Sequence, residues 1–372
     1  MTAIQKILAI ETSCDDTSVA VLRSPNEVLS CVSQSQDVFH ARHGGIVPEI
    51  ASRNHLVNLH LLIESALEKA GVGFHDLDAF VATNRPGLLG SLIVGVVTAK
   101  TLAQVHAKPW FAVNHLEGHI WAPFLKDETH SPSAEFSDFV ALAVSGGHTT
   151  LYRVNGFSKY EVLGTTRDDA AGEALDKFAK MVGLGFPGGP RIDQLSQTGN
   201  PAAYDLPRTL LDRHACEMSF SGLKSAGARL IADIPPDQFA EKLSDLCASF
   251  QEAVVDTLMV KLIRATELTK CPRVVLTGGV AANTRLRARV QAAASERGWQ
   301  LAIPPLRYCT DNAAMIGFVG LKHLRAGKTS PLNMGPSPQS WPGDFELSIH
   351  AKTFTTASAR AAQKLIQERA KS

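Results

Sequence analysis

The chain has no paired cysteine pattern, no long apolar run and no excess charge of either sign. Its six cysteines (Cys14, Cys31, Cys216, Cys247, Cys271, Cys309) are scattered, with no C-x-x-C among them. That argues against a thiolate zinc site or a disulfide framework, and makes a reducing cytoplasm the expected compartment. No stretch reaches the roughly 18 apolar residues that span a bilayer. The longest candidate, 88–99, contains Gly90, Ser91 and Gly95 and runs into Lys100. Residues 1–11 carry one lysine and a short apolar stretch that ends in an acid, which is not a secretory pattern. Lys plus Arg total 37 against 36 Asp plus Glu, a formal charge of +1. No global field therefore draws the chain to nucleic acid or to a membrane, and a polyanion partner requires a local patch.

What is present is an ordered plan. At about 150 residues per domain, 372 residues suggest two domains. Residues 7–11 and 18–22 flank the polar turn Cys14-Asp15-Asp16 and read as a hairpin, with 28–35 as a third strand. A helix is predicted over 48–70, with Pro48 in its first turn and Gly71 at its end. Residues 78–83 read as a buried strand, and Pro86-Gly87 opens a helix rich in small residues. The order then restarts. Strands 139–144 and 149–154 flank Ser145-Gly146-Gly147-His148, 160–166 follows as a strand, and 169–182 as a helix. Strand 273–277 enters Gly278-Gly279 with a helix after Asn283, and 312–325 is a last helix stopped by Gly327. Two copies of one architectural plan follow from this order. Four prolines mark 330–344 as an extended tail, and 357–371 reads as a further helix.

His115 and His119 stand four residues apart, so on a helix they share a face and can reach one metal ion. Asp311, just ahead of a helix, is the best-placed third ligand, or equally an N-cap. The spacing resembles H-E-x-x-H, but Glu117 sits two residues after the first histidine and points away from the metal face. Two helix histidines bonded to backbone or water are the alternative. Three turns follow buried strands: 13–16, 145–148 and 277–279. Their backbone N–H groups suit a phosphate, although each alone is also an ordinary turn. None fits a P-loop or a G-x-G-x-x-G pattern. Asp169 and Asp176 lie seven residues apart on one helix face and are expected to border a cleft. Between Lys261 and Arg297 there are eight basic residues against two acidic ones, whereas the first hundred residues hold seven basic and ten acidic. The basic stretch, with Arg285, Arg287 and Arg289 at its centre, is either a solvated face or a contact for RNA.

Several segments in order and spacing resemble the bacterial TsaD family, the tRNA adenosine threonylcarbamoyltransferases once labelled O-sialoglycoprotein endopeptidases. They are Ile10-Glu11-Thr12-Ser13-Cys14-Asp15-Asp16-Thr17, Gly44-Gly45-Ile46-Val47-Pro48-Glu49, Asn114-His115-Leu116-Glu117-Gly118-His119 and Val144-Ser145-Gly146-Gly147-His148-Thr149. Residues 168–177, Pro187-Gly188-Gly189-Pro190, Ser219-Phe220-Ser221-Gly222-Leu223-Lys224, 277–283 and Cys309-Thr310-Asp311-Asn312 complete the set. The match covers roughly 5–343. Arg85 stands where the family usually has glycine, and 345–372 lie beyond the family's usual end.

The resemblance implies an α/β, two-lobed fold of the actin, Hsp70 and sugar-kinase kind, each lobe an RNase-H-like mixed sheet with flanking helices. The expected lobes are 1–112, completed by helix 312–327, and 113–311, followed by an appendage over 328–372. The implied reaction moves the threonylcarbamoyl group from threonylcarbamoyl-AMP to the N6 amine of adenosine 37 in tRNAs that read codons beginning with A, and releases AMP. By motif position, His115, His119 and Asp311 hold one divalent ion, iron in most of the family, with zinc as the alternative. Ala143, Val144, Ser145, Gly146, Gly147, Asp176, Gly189, Asp193 and Asn283 are the implied substrate contacts. The donor is an activated mixed anhydride, so the protein needs to orient it, stabilise charge and take a proton, without a covalent nucleophile. Asp15 is the candidate for the proton or for holding the amine. Implied partners are tRNA, a smaller TsaB-like paralogue and a TsaE-like P-loop ATPase, with no membrane. A metallopeptidase, a sugar or acyl-phosphate kinase and a nucleotide-dependent scaffold are the competing readings.

Overall fold

Side-chain alternation along the central strands sorts the apolar residues into opposite faces, and both halves of the chain obey the same scheme. The computed structural model describes residues 5–132, 134–210 and 215–339. The tail beyond 339, with the helix expected over 357–371, lies outside the described residues. The first half runs β1 (Lys6–Glu11), β2 (Thr17–Arg23), β3 (Glu27–Gln34), α1 (Asp37–Ala41), α2 (Pro48–Ala70), β4 (Ala79–Arg85), α3 (Leu89–Val105), β5 (Trp110–Asn114) and α4 (His115–Trp121). The second runs β6 (Phe139–Val144), β7 (Thr149–Val154), β8 (Tyr160–Thr165), α5 (Ala171–Met181), α6 (Gly189–Ser196), α7 (Ser221–Ala232) and α8 (Phe239–Thr269). It closes with β9 (Arg273–Thr277), α9 (Thr284–Arg297), β10 (Gln300–Ala302) and α10 (Ala313–Arg325).

Each half forms a five-stranded sheet, ordered β3-β2-β1-β4-β5 and β8-β7-β6-β9-β10. In each, the first three strands of the half pair antiparallel and the last two join parallel to the first strand's free edge. The repeated plan read from the turns is therefore a repeated topology. In β1, Leu8 and Ile10 face α2 and α3 together with Val19, Val21, Phe80 and Ala82. Ile7 and Ala9 face the other way, into a cluster that holds Ile316 and Val319 of α10 and also Phe139, Ala141 and Ala143 of β6. Val140, Leu142 and Val144 turn outward onto Phe178, Leu258 and Leu286 of α5, α8 and α9. The order across the molecule is thus helices, sheet, helices, sheet, helices, with α4 and α10 in the middle layer.

Two ends set the site. α2 begins at Pro48, where a missing N–H costs nothing, and stops at Gly71 in a left-handed conformation (φ 63°). α10 is capped by Asn312, whose Oδ1 accepts from the Met315 N–H at 3.0 Å. That leaves the neighbouring Asp311 carboxylate free. After α10 the chain crosses back over the first sheet: the Ser330 N–H donates to the Trp110 carbonyl at 3.1 Å and the Ser337 N–H to the Asn84 carbonyl at 2.8 Å. This strap delivers Pro338 to the mouth of the cleft, where its carbonyl accepts from Gly87.

Candidate active site

The three turns singled out in the sequence converge on one cleft of about 1550 Å³ between the two sheets. Ser13, Cys14, Asp15 and Asp16 line it from the β1–β2 turn, Ser145, Gly146, Gly147 and His148 from the β6–β7 turn, and Gly279 and Val280 from the segment after β9. Their meeting depends on close backbone approaches. A Cβ on Gly172, at the start of α5, would stand 2.6 Å from the Ser145 carbonyl oxygen. Gly278 has φ 91° and lies directly against the Val144 backbone, a position that only glycine fills without strain. Gly146 and Gly147 are exposed, and nothing stands within 4 Å of where their Cβ atoms would be. The Ser145 N–H is occupied by the His148 carbonyl at 2.7 Å, and the Ser145 hydroxyl accepts from the His148 N–H at 3.1 Å. The two glycines therefore face open space over a locked turn.

His115 and His119 project from α4 on one face, their rings perpendicular at 86° and 4.7 Å between centroids. Among the described residues neither ring bonds to backbone. Both turn Nε2 to the same oxygen, Asp311 Oδ1, at 3.4 and 3.2 Å. Their ligand atoms lie within 4.8 Å of one another. On its far side His115 Nδ1 meets Glu11 Oε2 at 3.1 Å and Ser13 Oγ at 3.1 Å. Glu11 is itself fixed by the Thr83 hydroxyl (2.6 Å) and the Ser13 N–H (2.5 Å). The sequence reading missed Glu11, because a lone acid at the end of a strand carries no spacing signal.

Electrostatics favour a cation here. Burial opposes charge on His115, but the Asp311 and Glu11 carboxylates outweigh it and push the imidazole well up. Burial opposes charge on both acids too, yet His115 beside them holds Asp311 well below the usual carboxylate range and Glu11 below it too. His119 goes the other way, pushed down by burial despite Asp311. Two imidazoles and one carboxylate, with a second carboxylate orienting the first imidazole and one side open to the cleft, form a donor set that fits a divalent transition metal. Glu117 is aimed elsewhere, as its offset predicted: its Oε1 accepts from the Tyr160 hydroxyl at 2.5 Å.

The remaining expected site residues divide by what their side chains already do. Asp176 Oδ1 accepts the N–H groups of Gly188 (2.8 Å) and Gly189 (3.0 Å), which folds the Pro187–Pro190 loop onto the cleft and leaves Oδ2 available. Asp193 spends both oxygens on Thr284, at 2.8 and 3.0 Å, tying α6 to the start of α9. Asn283 caps α9 through the Leu286 N–H (2.9 Å) and donates to Gln251 (2.7 Å). Asp176, Gly189, Asp193 and Asn283 all line the cleft, whereas Ala143 and Val144 are buried in β6 behind the glycine turn. Asp15 and Asp16 face the cleft across from them, both raised by burial, Asp16 to about 7. His148 completes the wall near the triad, its imidazole lowered to about 4 by burial and by His115 and His119.

One expectation is corrected. Asp169 does not border the cleft: α5 begins only at Ala171, and Asp169 binds Lys177 (2.8 Å) and Lys224 (2.6 Å). Asp168 binds Ser219, Ser221 and the Phe220 N–H, so the Ser219–Lys224 motif is a clamp. In the basic stretch, read as either a solvated face or an RNA contact, most of the cations have partners within the chain, while Lys270 is exposed. Arg285 and Arg289 both pair with Glu252 of α8, Arg289 also with Asp256 at 3.0 Å. Arg264 and Arg297 face Glu267, Arg273 pairs with Asp138, and Lys261 is buried on the Ala215 carbonyl. Arg287 donates to the carbonyls of Ala281 and Pro304.

Two duplicated sheets enclosing a cleft with anion-ready turns define a class, the actin, Hsp70 and sugar-kinase-like α/β proteins. Solved structures agree on the fold. HypF from T. kodakarensis superposes with a TM-score of 0.58 at 13% identity, over 87% of this chain and 48% of that one. Component A of the Acidaminococcus fermentans (R)-2-hydroxyglutaryl-CoA dehydratase gives 0.51 at 14% identity, over 87% and 100%. The sequence comparisons are narrower. Residues 27–318 match the family model TsaD, tRNA N6-adenosine threonylcarbamoyltransferase. Proteins of that name from Bdellovibrio bacteriovorus and Desulfitobacterium hafniense are 55% and 48% identical, covering 92% and 89% of this chain and 100% and 96% of their own. The chain belongs to the TsaD family.

Proposed function

We propose that this chain transfers a threonylcarbamoyl group from threonylcarbamoyl-AMP to the N6 amine of adenosine 37 in tRNAs that read codons beginning with A. The observation that carries the reading is the shared cleft: the His115–His119–Asp311 set meets it through His115 and Asp311, and the open Gly146–Gly147 turn and the acidic Cys14–Asp16 turn face it. The glycine turn seats the adenylate phosphate, and Asp176 with the Gly188–Gly189 loop closes on the nucleoside. The N6 nitrogen attacks the carbamoyl carbon, an N–C bond forms, and the C–O bond to phosphate breaks with release of AMP. Asp15 takes the amine proton. Burial raises its carboxyl and makes it a stronger base than a solvated aspartate. An ion held by His115, His119 and Asp311, Fe(2+) by the resemblance with Zn(2+) as alternative, supplies a Lewis acid and template.

A tRNA acceptor supports a cytoplasmic location; no described helix is long and apolar enough to cross a membrane. The resemblance implies a smaller TsaB-like paralogue and a TsaE-like P-loop ATPase as partners. α3 exposes Leu89, Ile93 and Val97 one turn apart beside Val57 and Leu61 of α2, an apolar face suited to a protein partner. A peptidase reading loses its general base, since Glu117 is committed to Tyr160 on the far side of α4.

The test is transfer of labelled threonine onto unmodified tRNA, from bicarbonate and ATP with the partners or from pre-made adenylate. Absence of product in both formats overturns the reading. Asp15→Ala is expected to keep adenylate binding and lose transfer; unchanged turnover removes Asp15 from the mechanism.

A further inference from the structure

The turn that carries Asp15 and Asp16 is held from behind by one buried imidazole. His55, on the sheet-facing side of α2, is 0% exposed. Its Nε2 lies 3.0 Å from the Cys14 carbonyl oxygen, and its Nδ1 2.7 Å from Thr17 Oγ1. Cys14 and Thr17 bracket Asp15 and Asp16, so one ring grips both ends of the acidic turn. A carbonyl oxygen only accepts, which puts a proton on Nε2, and burial pushes the imidazole down, so Nδ1 is left to accept from the Thr17 hydroxyl. The ring is thereby a neutral imidazole in a single tautomer. Gln36 supports it: the Gln36 amide nitrogen lies 3.5 Å from Nδ1 and donates to the Ala51 carbonyl at 3.3 Å, while Asn54 donates to Gln36 Oε1 at 3.1 Å.

We propose that His55 is a positioning residue for transfer, acting through the Cys14–Thr17 turn to hold Asp15 at the reacting amine. Nothing in its surroundings assigns it another task. It reaches neither the metal set nor the cleft, and the bond to Cys14 ties α2 to the hairpin at the one place where the hairpin carries acids into the cleft. A reacting group displaced by about 1 Å loses on the order of 100-fold in rate, so a clamp on this turn matters to kcat even though it contacts no substrate. The inference rests on the role proposed for Asp15, and the experiment separates the two.

The experiment measures transfer by the full-length chain with adenylate and tRNA, partners present, and reads kcat and KM separately. His55→Leu removes both bonds at similar volume. Glutamine offers one donor and one acceptor, so His55→Gln is the rescue, and Thr17→Val removes the hydroxyl alone. His55→Leu is expected to lose about tenfold or more in kcat with KM for the adenylate within about threefold. His55→Gln recovers most of that loss, and Thr17→Val shows a smaller loss of the same kind. Where Asp15→Ala leaves residual transfer, His55→Leu is expected to cost nothing further in that background, because the two act as a unit. Additive losses, or a KM effect without a kcat effect, overturn the positioning role. If His55→Leu does not fold, Thr17→Val and His55→Gln decide by the same kcat criterion. If Asp15→Ala is fully active, the role of Asp15 fails first and its proposed positioning falls with it. A kcat loss in Asp15→Ala without one in folded His55→Leu overturns the clamp alone.

Discussion

Glu11 Oε2 stands 3.1 Å from His115 Nδ1, joining the last residue of the first strand to the first residue of α4. The pair sets which nitrogen of His115 is free for the cleft. Carboxylates behind metal-bound imidazoles fix the ring and raise its basicity, and their loss typically weakens binding about 10–100-fold. Glu11→Ala is therefore expected to lower metal affinity by that order, whereas His119→Ala abolishes binding at the site. Metal titration of the purified protein reads both. Undiminished affinity in Glu11→Ala assigns Glu11 to the fold alone.

The contact between α5 and the glycine turn gives a second prediction. A methyl group on Gly172 would sit 2.6 Å from the Ser145 oxygen and 2.9 Å from Gly146, so the turn must shift. Gly172→Ala is expected to raise KM for the adenylate about tenfold while the metal content stays at the wild-type level. Equal KM values would show that the phosphate is bound elsewhere.

The arginines of α9 give a third. Arg285 and Arg289 share Glu252, and Arg289 also meets Asp256, so their charge is partly offset where they stand. Replacing both with serine is expected to leave tRNA affinity within about twofold and its salt dependence unchanged. Glu252→Ala frees the Arg285 guanidinium, leaves Arg289 on Asp256 alone, and is expected to strengthen non-specific tRNA binding with a steeper salt dependence. Filter binding across a salt series distinguishes these outcomes from a true RNA surface, where the double serine variant would lose affinity.

How far the sequence carried the reading follows from what each signal depends on. The glycine and polar turns, the bounds of α2 and the strands 139–144, 149–154 and 273–277 were legible because periodicity and chain-breaking residues act locally. His115 and His119 were legible because their spacing matches a helical turn. Asp311 stayed ambiguous until the structure showed Asn312 making the cap. Glu11, His55 and the neutralisation of Arg285 by Glu252 depend on partners 104, 41 and 33 residues away. No spacing rule reaches that far. The same holds for the Asp193–Thr284 and Asn283–Gln251 bonds, which depend on the packing of α6, α8 and α9.

The middle layer supplies a pH prediction. His323 of α10 stacks near Phe111 and meets Phe157 edge-on at 4.9 Å, and burial together with Lys328 pushes its imidazole from 6.5 down to about 4. Between those values the unfolded chain binds a proton that the folded one refuses. Stability therefore falls as pH drops from about 6.5 towards 4, and is unaffected by this group above 6.5. His323→Phe keeps the aromatic contacts and removes the titration. The difference in melting temperature, variant minus wild type, is expected to be constant from pH 7 to 8 and to grow in favour of the variant below about 6.5. Carboxylates that titrate in the same window are present in both proteins and cancel in the difference. A difference that stays flat down to pH 4 would mean that His323 accepts its proton without leaving the layer between the sheets.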